Sequence, residues 1–426
     1  MARFAIQGGR RLGGVQRSPG NKNAALPMLA AALLTDEPVT LRNLPLIDDV
    51  RTMLALLEDL GVDVRLRGHR VTLRAAGIRK RRLNEALCRR VRTSVLAAGP
   101  MVARFGKAAL FPPGGDVIGR RRLDTHFEGL RQLGIEVDGR APYRFRRAAF
   151  RGAGVVLDEA SVTATENVLM AAVLAPGLST IFNAACEPHV QELCTMLNAM
   201  GAHISGIGTN RLHIEGVRAL HGADIRIGPD YIDAVSLVAA TIVTGGSLRL
   251  TDVGADPLQL LARPLGKLGV RWTLADGELY VPANQDLRIR NDYGSAVPKL
   301  EDGPWPAFPS DLLSIALVMA TQATGTMLFF EKMFESRLYF VDRLIAMGAR
   351  IVQCDPHRVI VSGPSPLHGT YLSSPDIRAG IALLIAALCA NGRSCIANAE
   401  SIDRGYENIE RRLRALGADI RRLTRD

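Results

Sequence analysis

Between Phe111 and His126 the chain reads Phe-Pro-Pro-Gly-Gly-Asp-Val-Ile-Gly-Arg-Arg-Arg-Leu-Asp-Thr-His. A single carboxylate, Asp116, sits among glycines, and three consecutive arginines follow it. Pro112 and Pro113 stop the preceding strand because proline has no N–H for a ladder. The glycines free the backbone to turn. One acid beside several guanidiniums suits an anionic substrate that must receive a proton. The plainer reading is a solvated Gly/Arg turn, since charge runs usually face water. Other stretches join this chemistry only if the fold brings them to it. Lys22-Asn23 lies just before an apolar helix, whose free N–H groups and dipole favour an anion. Ser310-Asp311 opens another helix, where either side chain reads as an N-cap. Asp376-Ile377-Arg378 opens a further one, and Asp403-Arg404-Gly405 reads as a short loop before the last helix. Arginines in such places read as surface ion pairs of small worth.

The elements that must position these residues repeat. Leu/Met-Gly steps at Gly61, Gly134, Gly201, Gly269, Gly348 and Gly417 recur at roughly 70-residue spacing, the mark of a repeated unit. Each follows an amphipathic helical pattern and leads into an alternating strand such as Val62–Leu66. A second set is apolar nearly all round and Ala-rich: Ala25–Leu34, Val95–Phe105, Asn167–Ala175, Ala234–Val243, Leu312–Ala323 and Ile377–Ala390. Such helices are buried on every side. Strand-like runs follow them. Six units exceed one core, so two lobes of three are expected, with the apolar helices inside. The alternative is an elongated solenoid, although solenoid periods are usually shorter.

Composition bounds the class. With 426 residues, 47% apolar and 22% charged, the chain reads as a soluble globular protein of two or three domains. Its longest apolar run, Ile381–Ala390, is too short for a membrane span, and Met1–Arg11 carries no secretory pattern. Six scattered cysteines without a Cys-x-x-Cys pair speak against a zinc site and for free thiols in a reducing cytoplasm. The formal charge of +11 favours anionic partners. Aromatics at 5% leave little for nucleic-acid stacking, so a nucleic-acid partner is not expected.

Taken together, the motifs carry a resemblance. Lys22-Asn23-Ala24-Ala25-Leu26-Pro27, Gly99–Gly106, the Pro-Gly-Gly loop through Asp124 and His126, and Ala184-Ala185-Cys186-Glu187-Pro188 stand in order. Pro306–Asp311, Phe334-Glu335-Ser336-Arg337 and Ile402-Asp403-Arg404-Gly405-Tyr406-Glu407 complete the set. In these, over nearly its whole length, the chain resembles the UDP-N-acetylglucosamine 1-carboxyvinyltransferase family of enolpyruvyl transferases. The resemblance implies a two-lobed inside-out α/β barrel of six βαβαββ-type units. Residues 22–229 would form a first lobe carrying the catalytic loop 111–125, and residues 1–21 plus 230–426 a second. It implies a cytoplasmic enzyme of cell-wall synthesis that needs phosphoenolpyruvate and a UDP-sugar, and no metal or cofactor.

Residue by residue, Lys22, Arg121 and Arg404 match positions that hold the phosphate and carboxylate of phosphoenolpyruvate, with Arg378 as another arginine of that pocket. Arginine's planar fork suits both anions. Asn23 matches a sugar contact, near which Met333 and Arg337 would lie. Arg92, Arg121, Arg122, Leu123, Asp124 and Thr125, with Glu159, Ala160, Ser161, Val162 and Thr163, match the nucleotide-binding segments. Glu187 and Asp376 complete the substrate contacts. Asp311 matches the base on the sugar 3-hydroxyl. Asp116 stands where the family most often has cysteine, so no thiol adduct forms there and insensitivity to fosfomycin is implied. The sequence also departs from the family at Arg122-Leu123 (usually Pro-Val), at Tyr231 (usually Arg) and at Pro19-Gly20-Asn21 (usually Ser-Gly-Ala). The sister transferase of the shikimate pathway and a non-catalytic UDP-sugar-binding paralogue are the alternatives.

Overall fold

A computed structural model describes residues 2–116 and 118–424. The chain divides into two compact units. One comprises Met1–Pro19, Val117–Arg120 and Pro229–Asp426, the other Gly20–Asp116 and Arg121–Gly228. Each has its own hydrophobic core.

In the first unit the core is three apolar helices, Tyr231–Val243, Ser310–Thr321 and Ile377–Cys389, which pack on one another. Their leucines, isoleucines and alanines are buried on all faces. At roughly 1.5–3 kcal/mol per fully buried large aliphatic side chain, these helices are held by burial rather than by amphipathic docking. Each leads into a central strand, respectively Ser247–Thr251, Gly325–Phe330 and Arg393–Ala397. Every central strand pairs in parallel with one neighbour and antiparallel with another, giving three four-stranded sheets. The sheet around Arg393–Ala397 is completed by Arg3–Gln7, bonded also to Asp419–Leu423.

The other unit repeats the plan. Lys22–Ala31, Ala98–Phe105 and Val162–Ala172 are its apolar helices. Two of its sheets have four strands and the third has three. In the three-stranded sheet a single parallel bridge, Arg82 to Ala109, stands where the others have a fourth strand.

This is the mixed α/β arrangement expected from the repeat, and helices enclosed in two separate cores replace the solenoid alternative. All six step glycines have positive φ, from 78° at Gly134 to 105° at Gly61, a conformation in which a Cβ is strained. Helix ends differ from the sequence expectation. The first apolar helix starts at Lys22 rather than Ala25, because Asn21 caps it, its Oδ1 accepting from the N–H of Asn23 and Ala24. The segment before Ala98 is 3-10 helix from Arg92 to Ala97. Among the described residues no helix is long and apolar enough to cross a membrane.

Candidate active site

In the first unit three helix beginnings and one turn supply the charged cluster. Asp311 is the second residue of Ser310–Thr321. Its Oδ2 accepts from Arg378 Nη2 at 2.8 Å and its Oδ1 from Arg337 Nη2 at 3.2 Å. Both arginine side chains are buried, whereas that of Asp311 is 27% exposed. Neither expectation of the bland kind survives here. The helix is capped by no side chain: its N-cap is Pro309, and the Ser310 hydroxyl turns to Glu331. Arg378 is no surface ion pair. Burial pulls its pKa down, yet Asp311, Tyr406 and Asp230 raise it overall, and its Nη1 donates to the Tyr406 hydroxyl at 3.1 Å.

Asp376 caps the Arg378 helix through the N–H groups of Arg378 and Ala379. That cap fixes where the Arg378 side chain leaves the backbone. Arg404 lies in the short turn expected there, as the C-cap of the helical turn Glu400–Asp403. The next residue, Gly405, lies so close to Ile377 that a Cβ there would overlap its side chain. Thus Arg404 is carried beside the start of the Arg378 helix. Met333 is partly exposed in the turn before Arg337. In the same turn the Glu335 carboxylate accepts from the backbone N–H of Arg120 at 3.0 Å, and Gly119, at φ 125°, leaves room for it.

The other unit holds the opening loop's remaining charges. Gly114 donates to the Cys88 carbonyl at 3.0 Å and runs so close to Arg89 that no side chain fits. Asp116 follows, half-buried. Arg92, Pro112, Pro113, Arg121, Arg122, Leu123, Asp124, Phe127, Gly139 and Tyr143 line a cavity of about 320 Å³. Arg92 holds its rim, donating through Nη2 to the Arg121 carbonyl at 2.5 Å and the Arg122 carbonyl at 3.2 Å. Burial, then Arg121, lowers the Arg92 pKa to about 10. Arg122 and Asp124 pair with each other in the open, a contact of small worth.

Thr125 and Thr163 are already engaged, Thr125 donating to Asp158 at 2.5 Å and Thr163 bonding His126 Nε2 at 3.0 Å. Asn167 takes the Gly99 N–H on Oδ1 and offers its amide nitrogen to His126 Nδ1 at 3.1 Å. That orients His126 as the Nε2–H tautomer. Burial, then Arg92, lowers its pKa to about 3. His126, grouped with the loop's reactive residues by sequence, is therefore a neutral strut. Glu159, Ala160 and Ser161 lead into the helix that Val162 begins, and Glu187 occupies the N-cap position of Pro188–Ala199. Lys22 pairs with Asp49 at 2.9 Å, both buried. Asn23 is partly buried beside it.

The EPSP synthase (3-phosphoshikimate 1-carboxyvinyltransferase) family matches residues 6–413. The chain is 51% identical over 421 residues to the UDP-N-acetylglucosamine 1-carboxyvinyltransferase of Treponema denticola, covering 99% of each. It is 52% identical to that of Bradyrhizobium diazoefficiens, over 99% of this chain and 98% of the relative. This chain belongs to the UDP-N-acetylglucosamine 1-carboxyvinyltransferase family. The enolpyruvyl transferase NikO from Streptomyces tendae superposes with a TM-score of 0.88 at 25% identity, over 100% of this chain and 99% of that one. EPSP synthase from Acinetobacter baumannii shares the fold, with a TM-score of 0.76 over all of both chains at 18% identity.

For this carboxyvinyltransferase-family chain, sequence reasoning missed four participants: Asp49 on Lys22, Tyr406 on Arg378, Glu335 on the loop backbone, and Glu331 on Ser310. Glu335 and Tyr406 stood inside quoted motifs, so their positions were marked without their partners. Asp49 and Glu331 carried no signal, because an acid in a helix's first turn or after a strand reads as ordinary. Tyr231, where the family usually has arginine, is buried with its ring 6.0 Å from that of Trp305.

Proposed function

We propose that the protein transfers the enolpyruvyl group of phosphoenolpyruvate to the 3-hydroxyl of UDP-N-acetylglucosamine, releasing phosphate, as a cytoplasmic enzyme at the first committed step of peptidoglycan precursor synthesis. The observation that carries this reading is the full-length likeness, 51% over 421 residues, to a relative named UDP-N-acetylglucosamine 1-carboxyvinyltransferase.

The chemistry needs three things. A base must take the hydroxyl proton, an acid must protonate the methylene carbon of the enol, and cations must hold the anions. Asp311 is the base, aimed by Arg337 and Arg378 while its carboxylate stays partly open. Asp116 is the acid. The hydroxyl oxygen adds to C2 as C3 gains the proton, giving a tetrahedral adduct. Loss of phosphate, with one methyl proton returning to Asp116, restores the double bond. Lys22, Arg121, Arg378 and Arg404 hold phosphate and carboxylate. The cavity bounded by Arg92 and Arg121–Asp124 takes the uridine diphosphate end, with Thr125, Glu159–Thr163 and Glu187 beyond it. Asn23, Met333, Arg337 and Asp376 face the sugar. Incubation with both substrates, read by mass spectrometry, should give the enolpyruvyl ether of the UDP-sugar; recovery of unchanged UDP-sugar with active control enzyme present rejects the proposal.

Arg404→Lys tests the anion pocket. A point ammonium does not replace a bidentate fork, and Gly405, wedged against Ile377, leaves the backbone little room to reposition it. The apparent affinity for phosphoenolpyruvate should weaken roughly 10-fold, one good charge-assisted hydrogen bond, with that for the UDP-sugar nearly kept. Equal weakening of both would place Arg404 elsewhere.

A further inference from the structure

Two carboxyl groups behind Asp311 take no part in the chemistry above. Lys299–Glu301 and Gly325–Phe330 are neighbouring parallel strands with Glu301 opposite Phe330. The next residue of each is acidic, Asp302 and Glu331, and both are fully buried. That register carries the two acids side by side, and the Asp302 N–H donates to the Phe330 carbonyl at 3.2 Å, which ties it to the Glu331 strand. Ionised carboxylates only accept, so two of them side by side away from water repel unless a proton is held between them. Asp302 Oδ1 is taken by the Lys332 N–H at 2.5 Å, while its buried Oδ2 has no hydrogen-bond partner among the described residues.

Two links run from this pair to Asp311. The Ser310 hydroxyl, on the residue preceding Asp311, reaches both Glu331 oxygens at 2.9 Å. Arg337 stands between the acids, its Nε 3.8 Å from Glu331 Oε2 and its Nη2 on Asp311. Buried against the Phe334 ring, Arg337 has no hydrogen-bond acceptor for Nε or Nη1 among the described residues.

We propose that Asp302 and Glu331 hold one proton between them and form a positioning unit for Asp311, acting through Ser310 and Arg337. The role rests on the reading of Asp311 as the base. With one proton the unit shows Arg337 a single negative charge. With none it would set two buried like charges side by side. With two, Arg337 would lean on Asp311 alone and weaken it as a base. Burial first, then the neighbouring Asp302, pushes Glu331 up to about 9, against the pull of Arg337 and Ser310. The other charged neighbours contact the backbone or lie outward. His357 Nδ1 bonds the Glu331 carbonyl at 2.6 Å, the Lys332 ammonium pairs with Glu301 at 3.5 Å, and Glu335 takes the Arg120 N–H. The raised acid keeps its proton through neutral pH and loses it as pH rises through about 9, when the second charge draws Arg337 away from Asp311.

Infrared titration of the intact protein tests this directly. Glu166 is also fully buried and raised by burial and then by Glu187, and the substitutions leave it untouched. The difference between wild type and variant therefore isolates the pair. Asp302→Asn and Glu331→Gln should each remove a protonated C=O band that wild type loses around pH 9. Each single variant keeps one negative charge and should lower kcat only a few-fold, flattening the fall near that pH. The double variant, without charge, should lower kcat roughly 10²-fold, the scale of a misplaced catalytic group, with little change in KM. An active wild type lacking the band overturns the shared proton. Single variants as damaged as the double overturn the positioning role. A band in a wild type without transfer activity keeps the proton, rejects the function, and takes the positioning role with it.

Discussion

Asp311→Asn should lower turnover roughly 10²-fold or more, the scale of general-base loss, while both substrates still bind. The substitution keeps volume and one acceptor oxygen but removes the basic one. Its second consequence follows from the geometry. Arg378 at 2.8 Å and Arg337 at 3.2 Å each use a different oxygen of the carboxylate. In the amide, one guanidinium meets an NH₂ group that has nothing to accept with. A buried cation that loses a carboxylate acceptor destabilises the fold, so the unfolding midpoint should fall as well. Steady-state kinetics with binding measured separately checks the first effect, and thermal denaturation the second. Near-normal turnover in the variant would show that another group is the base.

Asp116→Ala should abolish most turnover, and Asp116→Cys should gain something the wild type lacks. An epoxide phosphonate such as fosfomycin resembles phosphoenolpyruvate and alkylates a thiolate, a strong nucleophile. A carboxylate attacks epoxides far more weakly yet still delivers a proton. The wild type should therefore stay active through incubation with the epoxide, and the Cys variant should be inactivated with time. A stable adduct on wild-type Asp116 in the mass spectrum, or full activity of the Ala variant, would sink this account.

The fold was largely legible because burial writes itself into composition. A helix buried all round must be apolar nearly all round, as Ile377–Cys389 is apart from Arg378, and a chain leaving a helix left-handed marks itself with glycine, as at Gly61 and Gly348. The family was legible because motif strings fell in order along the whole chain. Partners were not. No local pattern tells that Lys22 meets Asp49 or that Asp302 lies opposite Glu331, since each pairing depends on which strand or helix packs beside which. The same gap misled the reading of Ser310 as a cap and of Arg378 as a surface residue, because propensity describes an isolated helix end and not the buried Glu331 or Asp311 waiting next to it. His126 shows the converse: a titratable residue in a reactive-looking string, made inert by the Asn167 and Thr163 bonds around it.

The most direct test of the central claim is phosphate release from phosphoenolpyruvate, measured side by side with UDP-N-acetylglucosamine and with shikimate 3-phosphate as acceptor. The account predicts release that depends on the UDP-sugar and none above background with shikimate 3-phosphate. Release with shikimate 3-phosphate alone, or with neither acceptor, would contradict it.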